Sequence, residues 1–425
     1  MHNAPEIKGW CPGALAPMES GDGLLMRAKV VGSRLTLHQA REIANIALAC
    51  GNGLLDLSQR AQLQMRGIKD TTREEAQQRL KAIELLAPDA ATESVLNIIA
   101  SPLRGGAFDA NEMAGRMARG IIEDCALRAL PGKFLFLIDD GSVLGLFNVA
   151  ADIRLEAHDD KIAIVLDGAR DLAVVAAPEE AIEAALALAR AFISLREGRA
   201  FQFRRMRALV EAQDATSVLR AAGLQAEPYR SSCHGAPTRD LLGSKTAAGA
   251  CFAGVAAPFG RWSADHLAQL VDIILQEGGE ELRLTPWRAL LVVTPSVESA
   301  VRVVEAARLL GLIVHPDDAR LAIAACPGAP ECPQARGATR DHLERLAPIA
   351  RLLSPDAIGL HVSGCVKGCA KPSPSPVTLI ACGERFDLVY DGCADGTAAA
   401  TGLSLAEVER LLAAGANKEA SCPAQ

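Results

Sequence analysis

Residues 34–60, RLTLHQAREIANIALACGNGLLDLSQR, decide the fold once they are set beside residues 261–287, RWSADHLAQLVDIILQEGGEELRLTPW. The two stretches align without a gap at a constant offset of 227. Six positions are identical, among them Arg34/Arg261, Gly51/Gly278 and Leu57/Leu284, but the shared pattern says more. Ala40, Ile43, Ala44, Ala47 and Leu48 form an apolar stripe at helical spacing, which Leu267, Leu270, Val271, Ile274 and Leu275 repeat. Thr36 and Ser263 stand at the N-caps, and Gln39 completes a capping box in the first copy. Gly51 and Gly278 are expected to close the helices at C′. Strand-like runs flank each helix, 24–31 and 54–67 in one copy, 250–258 and 281–294 in the other. A second helix follows in each, at about 72–86 and 296–310.

Outside these β-α-β-α units lie two further mixed segments, 94–212 and 321–414. The first reads as strand 95–100, helix 109–128, strands 133–138 and 147–155, then helices from Pro178. The second reads as strand 321–325, helix 339–352, strands 358–363 and 376–381, then helix 404–413. Ile99-Ala100-Ser101-Pro102 echoes Ala324-Ala325-Cys326-Pro327, so the order is A-B-A′-B′, a duplicated two-part α+β unit. The expected boundaries are 1–90, 91–222, 223–312 and 313–415, with 416–425 a tail. Residues 223–249, with Pro228, Pro237 and many small residues, read as the linker between halves.

Half of the 425 residues are hydrophobic, which excludes a disordered chain. With 44 Lys+Arg against 51 Asp+Glu and no basic block, nothing favours nucleic acid as a partner. No run approaches the roughly 18 apolar residues of a membrane span, and Met1–Trp10 is polar. A soluble cytoplasmic protein is expected. Its twelve cysteines are many for such a compartment, where thiols in bulk bind metal more often than they pair.

Four of them fall into two loop-like pairs, Cys326-x5-Cys332 and Cys365-x3-Cys369. The surrounding Pro327-Gly328 and Gly364, Gly368 let backbone wrap closely round a compact inorganic core. Four thiolates on two loops suit a [4Fe–4S] cubane; a structural zinc site or unpaired redox thiols are the other readings. Cys11, in Cys11-Pro12-Gly13, repeats the Cys326-Pro327-Gly328 tripeptide and is a candidate to face the same site. Cys50 and Cys125 read as core residues, and Cys422 as part of the tail.

With its cysteine loops, the chain resembles the siroheme-type nitrite and sulfite reductase superfamily over nearly its whole length. The resemblance is carried also by Gly21-Asp22-Gly23-Leu24-Leu25-Met26-Arg27, Asn52–Arg60 and Gln62-Leu63-Gln64-Met65-Arg66-Gly67. It implies ferredoxin-like half-domains alternating with sulfite-reductase-type α/β domains in a pseudo-twofold arrangement. It also implies that Cys326, Cys332, Cys365 and Cys369 hold a [4Fe–4S] cluster beside a tetrapyrrole. The departures point to one branch. Leu96-Asn97 stands where the reductases show Arg-Asn, and Lys133-Phe134-Leu135 keeps only the first lysine of a Lys-x-Lys pair. With Trp10-Cys11-Pro12-Gly13 ahead of Gly21, this is similar to the oxygen-dependent branch in aerobic cobalamin biosynthesis. There a metal-free tetrapyrrole substrate replaces siroheme, and O2 and a reductant hydroxylate a meso carbon. That branch also implies a mononuclear non-haem iron. Neither His361, Ser363 nor Cys233-His234 offers a facial-triad spacing for it, and no ligand is assigned.

If 57–67 is one strand, its two-residue period puts Arg60, Gln62, Gln64 and Arg66 on one face and Leu57, Leu63 and Met65 on the other. Two arginines among polar neighbours suit a ligand rich in carboxylates, a solvated sheet face being the alternative. The expected substrate-binding residues are therefore Arg60, Gln64, Arg66 and Lys133, with Lys367, Arg104, Arg230, Arg239 and Lys245 as weaker candidates. Trp287 falls opposite Arg60 in the second copy, beside Arg288, so the repeat has not kept the ligand chemistry there. No Gly-x-Gly-x-x-Gly follows a strand, so electrons from NADH are expected through a partner reductase. The rival functions are a siroheme nitrite or sulfite reductase and a non-enzymatic iron–sulfur carrier or tetrapyrrole-binding protein.

Overall fold

The computed structural model describes residues 11–420 except 234, 236, 237 and 248, and omits the side chains of 238, 239 and 415–420. Trp10, His234, the Arg239 side chain and Cys422 lie outside the described residues.

The duplication is visible strand by strand. One five-stranded sheet runs Met18–Ser20, Gly23–Arg27, Leu63–Ile68, Leu54–Leu57, Arg261–Ser263. Another runs Gly243–Ala247, Ala250–Ala256, Ala289–Thr294, Glu281–Leu284, Arg34–Thr36. The order is the same, and the last strand is exchanged: Arg261–Ser263 pairs with Leu54–Leu57, while Arg34–Thr36 pairs with Glu281–Leu284. Register repeats too, Arg27 facing Gln64 in one sheet and Gly254 facing Leu291 in the other. Helices Leu37–Cys50 and Ala264–Gln276 pack together, and both half-domains share one core, including Ile43, Leu55, Leu270 and Leu282. Each such side chain, wholly buried, contributes about 1.5–3 kcal/mol. The exchanged strands and joint core therefore lock the halves together.

The expected caps form, Thr36 with Gln39 as a capping box and Ser263 accepting from the Asp265 amide. Gly278 takes the left-handed conformation expected at C′ (φ 75°), whereas Gly51 is an extended C-cap (φ −122°). The runs 54–67 and 281–294 are each two strands rather than one. A turn at 58–62 divides the first, closed by the Ser58 amide on the Gln62 carbonyl at 3.0 Å and the Ala61 amide on Ser58 at 3.0 Å. Left-handed backbone recurs across the repeat at Gly32 and Phe259, Ser33 and Gly260, Ala61 and Arg288.

The other two sheets join parallel and antiparallel strands. In the first half Ile98–Ala100, Phe136–Asp139 and Ile153–His158 are parallel, and Lys161–Leu166 and Ala169–Ala176 extend them antiparallel. The turn between these last strands, Asp167-Gly168 with Gly168 at φ 99°, is a hairpin signal the sequence reading passed over. In the second half Ile323–Ala325, Leu360–Ser363 and Ser375–Cys382 are parallel, followed antiparallel by Arg385–Gly392 and Ala400–Leu403. Helices Ala110–Glu123 and Ala181–Leu195 cover one sheet, Leu343–Leu353 and Leu405–Ala420 the other. The stretch read as linker is structured at both ends: Glu227–Pro228 pairs with Leu172-Ala173, and Gly243–Ala247 joins a sheet. No helix among the described residues is long and apolar enough to cross a membrane.

Candidate functional site

Strand Gly23–Arg27 and the residues after it put cations where the first half-domain meets the first α/β unit. Arg27 and Lys29 are buried, 5% and 6% exposed. Arg27 Nε donates to the Gln64 amide oxygen across the sheet at 3.2 Å, with the amide turned to face it. Lys29 Nζ donates to Asn97 Oδ1 at 2.9 Å, and the Asn97 amide donates to the Gly132 and Phe134 carbonyls at 3.3 and 3.1 Å. That anchors the approach to Lys133, whose carbonyl accepts from Arg60 Nη2 at 2.8 Å. Arg60 stands in the hairpin turn, half-buried, and Lys133 is exposed beside it.

Cys11 completes this nest. The Glu93 carboxylate accepts the Ala14 and Leu15 amides at 2.8 and 2.9 Å, fixing the segment that presents the thiol. Burial alone would raise the Cys11 thiol, but Arg27, Arg60 and Lys133 outweigh it and draw the thiol below its ordinary value. Burial, then the neighbouring Arg27, pushes Lys29 down to about 7. Arg27 Nη1 and Arg60 Nη1 are buried without partners. Converging cations with unsatisfied donors make this an anion site. Beyond Gly132 a smaller cavity of about 180 Å³, lined in part by Arg196, Arg204 and Phe201, extends the basic surface.

Two expected members of the polar face belong elsewhere. Gln62 clamps the Val30 backbone, accepting its amide and donating to its carbonyl, both at 2.8 Å. Arg66 is not open to a substrate: it is 2% exposed and bonds Asp22 at 2.9 Å, Asp56 at 3.1 Å, Ser20 Oγ at 3.0 Å and the Glu331 carbonyl at 3.2 Å. The turn at 58–62, across which a two-residue period does not carry, takes Gln62 off that face, whereas Arg66 shares strand Leu63–Ile68 with Gln64 and is occupied by Asp22 and Asp56. Arg66 instead ties the Cys326–Cys332 loop to the first half. Arg27 and Lys29 were not singled out from sequence, although their alternation with Met26 and Ala28 was a readable signal.

The four cysteines sit on the two loops read from their spacing. The Gly364 amide donates to Cys326 Sγ at 3.2 Å, Thr339 Oγ1 to the Cys326 carbonyl at 2.6 Å and the Cys332 amide to the Gly328 carbonyl at 2.7 Å. Gly328 is left-handed (φ 74°), and a β-carbon there would strike Thr339. Burial raises the Cys369 thiol; Lys367 lowers it, and Cys365, Cys326 and Cys332 raise it further. Burial likewise raises Cys332, helped by Cys326 and Cys365. The four sulfurs therefore lie within electrostatic reach of one another. His361, wholly buried with neither ring nitrogen paired, stands against Gly368 in the same loop. As the side chains stand, no three of His, Cys, Asp or Glu among the described residues form a group able to hold a metal ion.

Residues 16–83, which carry most of the cation nest, match the family model for the nitrite/sulfite reductase ferredoxin-like half domain. A precorrin-3B synthase from a Sinorhizobium species is 29% identical over 98% of this chain and 91% of its own length. The chain is related to precorrin-3B synthase. Sulfite reductase (ferredoxin) 1 of Mycolicibacterium paratuberculosis is a more distant relative, 24% identical over 82% of this chain and 68% of its own. The solved structure of the Mycobacterium tuberculosis NirA protein superposes with a TM-score of 0.69 at 18% identity, covering 87% of this chain and 74% of that one. The duplicated α+β fold is therefore shared with that protein, while the precorrin-3B synthase alignment runs almost end to end.

Proposed function

We propose that the chain is a precorrin-3B synthase, using O2 and a reductant to hydroxylate C20 of precorrin-3A while the ring A acetate closes a γ-lactone. The near end-to-end match to the Sinorhizobium precorrin-3B synthase carries this reading. The cation nest supports it, because a tetrapyrrole bearing many carboxylates needs converging guanidinium and ammonium groups. Arg27 and Arg60 have unpaired Nη1 atoms to offer, Lys133 lies open beside them, and Gln64 holds Arg27 in place. Leu96 and Leu135 are buried where the reductases it resembles carry cations, which suits an organic ring better than a small oxyanion. Lys29 can hold or release a proton at Nζ near neutrality, next to the bound ring.

Cys326, Cys332, Cys365 and Cys369 would hold a [4Fe–4S] cluster. The fit rests on four soft thiols presented by two loops, Cys326 buried and Cys332 and Cys365 half-buried, on the Gly364 amide aimed at the Cys326 sulfur and on the unpaired His361 nitrogens beside the loop. Such a cluster supplies electrons one at a time. For a mononuclear iron the described residues offer no ligand set, and no step is assigned to one. Electrons from NADH would come through a partner protein. Purification without oxygen, followed by iron, labile sulfide and absorption measurements and a turnover of precorrin-3A with O2 and reductant, tests the reading. Iron and sulfide with no chlorin band, and hydroxylated product, are expected. Stoichiometric siroheme would make the protein a reductase, and a loaded cluster without turnover would make it a carrier.

A further inference from the structure

The repeat gives the cation nest a counterpart at an offset of 227: Gly254 for Arg27, Ala256 for Lys29, Trp287 for Arg60 and Leu291 for Gln64. Its cations are gone, and Leu241 and Leu242 pack against Gly254 and Leu291 where Arg27 and Gln64 stand in the first copy. Beside that packed place Ala256 and Trp287 line a cavity of about 390 Å³, walled also by Phe259, Ile323 and Ile358, with Arg288 in its lining. The cavity is half-open to solvent and of the size at which small-molecule sites begin, roughly 300 Å³.

Two further features separate it from a relic. Phe259 (φ 56°) and Arg288 (φ 62°) both hold left-handed backbone, where the first copy has Gly32 and Ala61. A bulky side chain there costs on the order of 1–3 kcal/mol, and such strain gathers at binding sites. The charges are also unmatched. Arg66, Arg261, Arg340 and Arg288 surround three carboxylates, Asp22, Asp56 and Glu331. Arg288 makes no carboxylate contact; its bond is a long one of 3.5 Å to the Ala370 carbonyl, and burial draws its guanidinium below the ordinary value. Arg340 Nε beside it is unpaired, and His361 is held neutral by burial and then by Lys371 and Arg288. Of the cations at the mouth, Arg320 is bound to Asp318 and Lys371 to Ser373, and the rim carboxylate Asp356 is engaged in a contact of its own.

We propose that this cavity is a second small-molecule site, distinct from the cation nest, that takes a flat ring compound bearing one anionic group. The ring lies against Phe259 and Trp287, and the anion meets Arg288. Aromatic stacking and a desolvated guanidinium supply complementary parts of the recognition.

Flavin mononucleotide is a suitable probe, with riboflavin as the same ring without the anion and inorganic phosphate as the anion without the ring. Titration of the full-length protein is followed by tryptophan fluorescence, to which Trp287 contributes with Trp10 and Trp262, and by calorimetry. Flavin mononucleotide should saturate one site, with riboflavin at least about tenfold weaker and phosphate undetected. Arg288→Gly suits the left-handed backbone, so it should keep the melting temperature and reduce flavin mononucleotide affinity about tenfold, to the riboflavin level. Phe259→Gly, which restores the first copy's residue, should weaken both flavins. Equal binding of the two flavins, full affinity in a folded Arg288→Gly, or no binding at millimolar concentration overturns the proposal. So does loss of flavin binding in Arg60→Ala or displacement by uroporphyrin, either of which would place the flavin in the first site.

Discussion

The Asp56 carboxylate accepts a hydrogen bond at 3.2 Å from Arg340, 284 residues further along the chain. The same carboxylate holds Arg66 and Arg261 at 3.1 Å each, so one acid of the first half gathers cations from both. Burial would raise Asp56, but Arg340, Arg261 and Arg66 hold it well below the usual carboxylate range. Asp56→Asn leaves three desolvated guanidinium groups short of a partner and should cost about 3–5 kcal/mol, measured by chemical denaturation. The pH sign follows from the depressed value. The ion cluster's contribution is complete above the unfolded carboxylate pKa of about 3.9 and is lost as pH falls below it, a dependence the Asn variant should lack.

Gly21 and the cysteine loop make a second cross-half contact. The Gly21 amide donates to the Glu331 carbonyl at 2.9 Å, and a β-carbon at Gly21 would sit 1.7 Å from the Pro330 carbonyl oxygen. Gly21→Ala must therefore push the Cys326–Cys332 loop away. The expected outcome is a folded protein that loses most of its iron and labile sulfide although all four cysteines remain. Cluster content at the wild-type level would show that this contact does not position the loop.

Arg60 and Arg66 look alike in sequence and should fail differently. Arg60 has an unpaired Nη1 in the nest, so Arg60→Ala should weaken tetrapyrrole binding by about 1.5–3 kcal/mol with little change in stability. Arg66 is consumed by Asp22 and Asp56, so Arg66→Ala should lower the denaturation midpoint and cluster content first. Equilibrium binding beside unfolding curves for both variants separates the two roles.

The contrast between these arginines marks where sequence reading stops. The cysteine loops were legible because Cys326 to Cys332 and Cys365 to Cys369 are local spacings between Gly and Pro turns. The duplication was legible because the 34–60 stripe recurs whole at 261–287. Arg66 was misread because the groups that occupy it, Asp22, Asp56 and the Glu331 carbonyl, lie up to 265 residues away and leave no mark on its own strand. Arg27 and Lys29 matter through burial and cross-strand register, which depend on the hairpin Leu54–Ile68 and on Asn97. The exchange of Arg34–Thr36 for Arg261–Ser263 carries no periodic signal, since three residues are too few to hold one.

Lys29 makes carboxylate recognition depend on pH. Its value of about 7 lies well below the ordinary 10.5, with burial first and Arg27 second as causes. Because the folded value is depressed, the unfolded chain binds the extra proton between the two values, and stability should rise with pH across that window. Binding runs the other way: a protonated Lys29 attracts a carboxylate and a neutral one does not. Affinity for a tetrapyrrole polycarboxylate should therefore fall as pH rises through about 7. Lys29→Arg should keep affinity high across that range. Calorimetric titrations one unit either side of neutrality decide it: an unchanged pH profile in Lys29→Arg would remove this group from the ligand's surroundings.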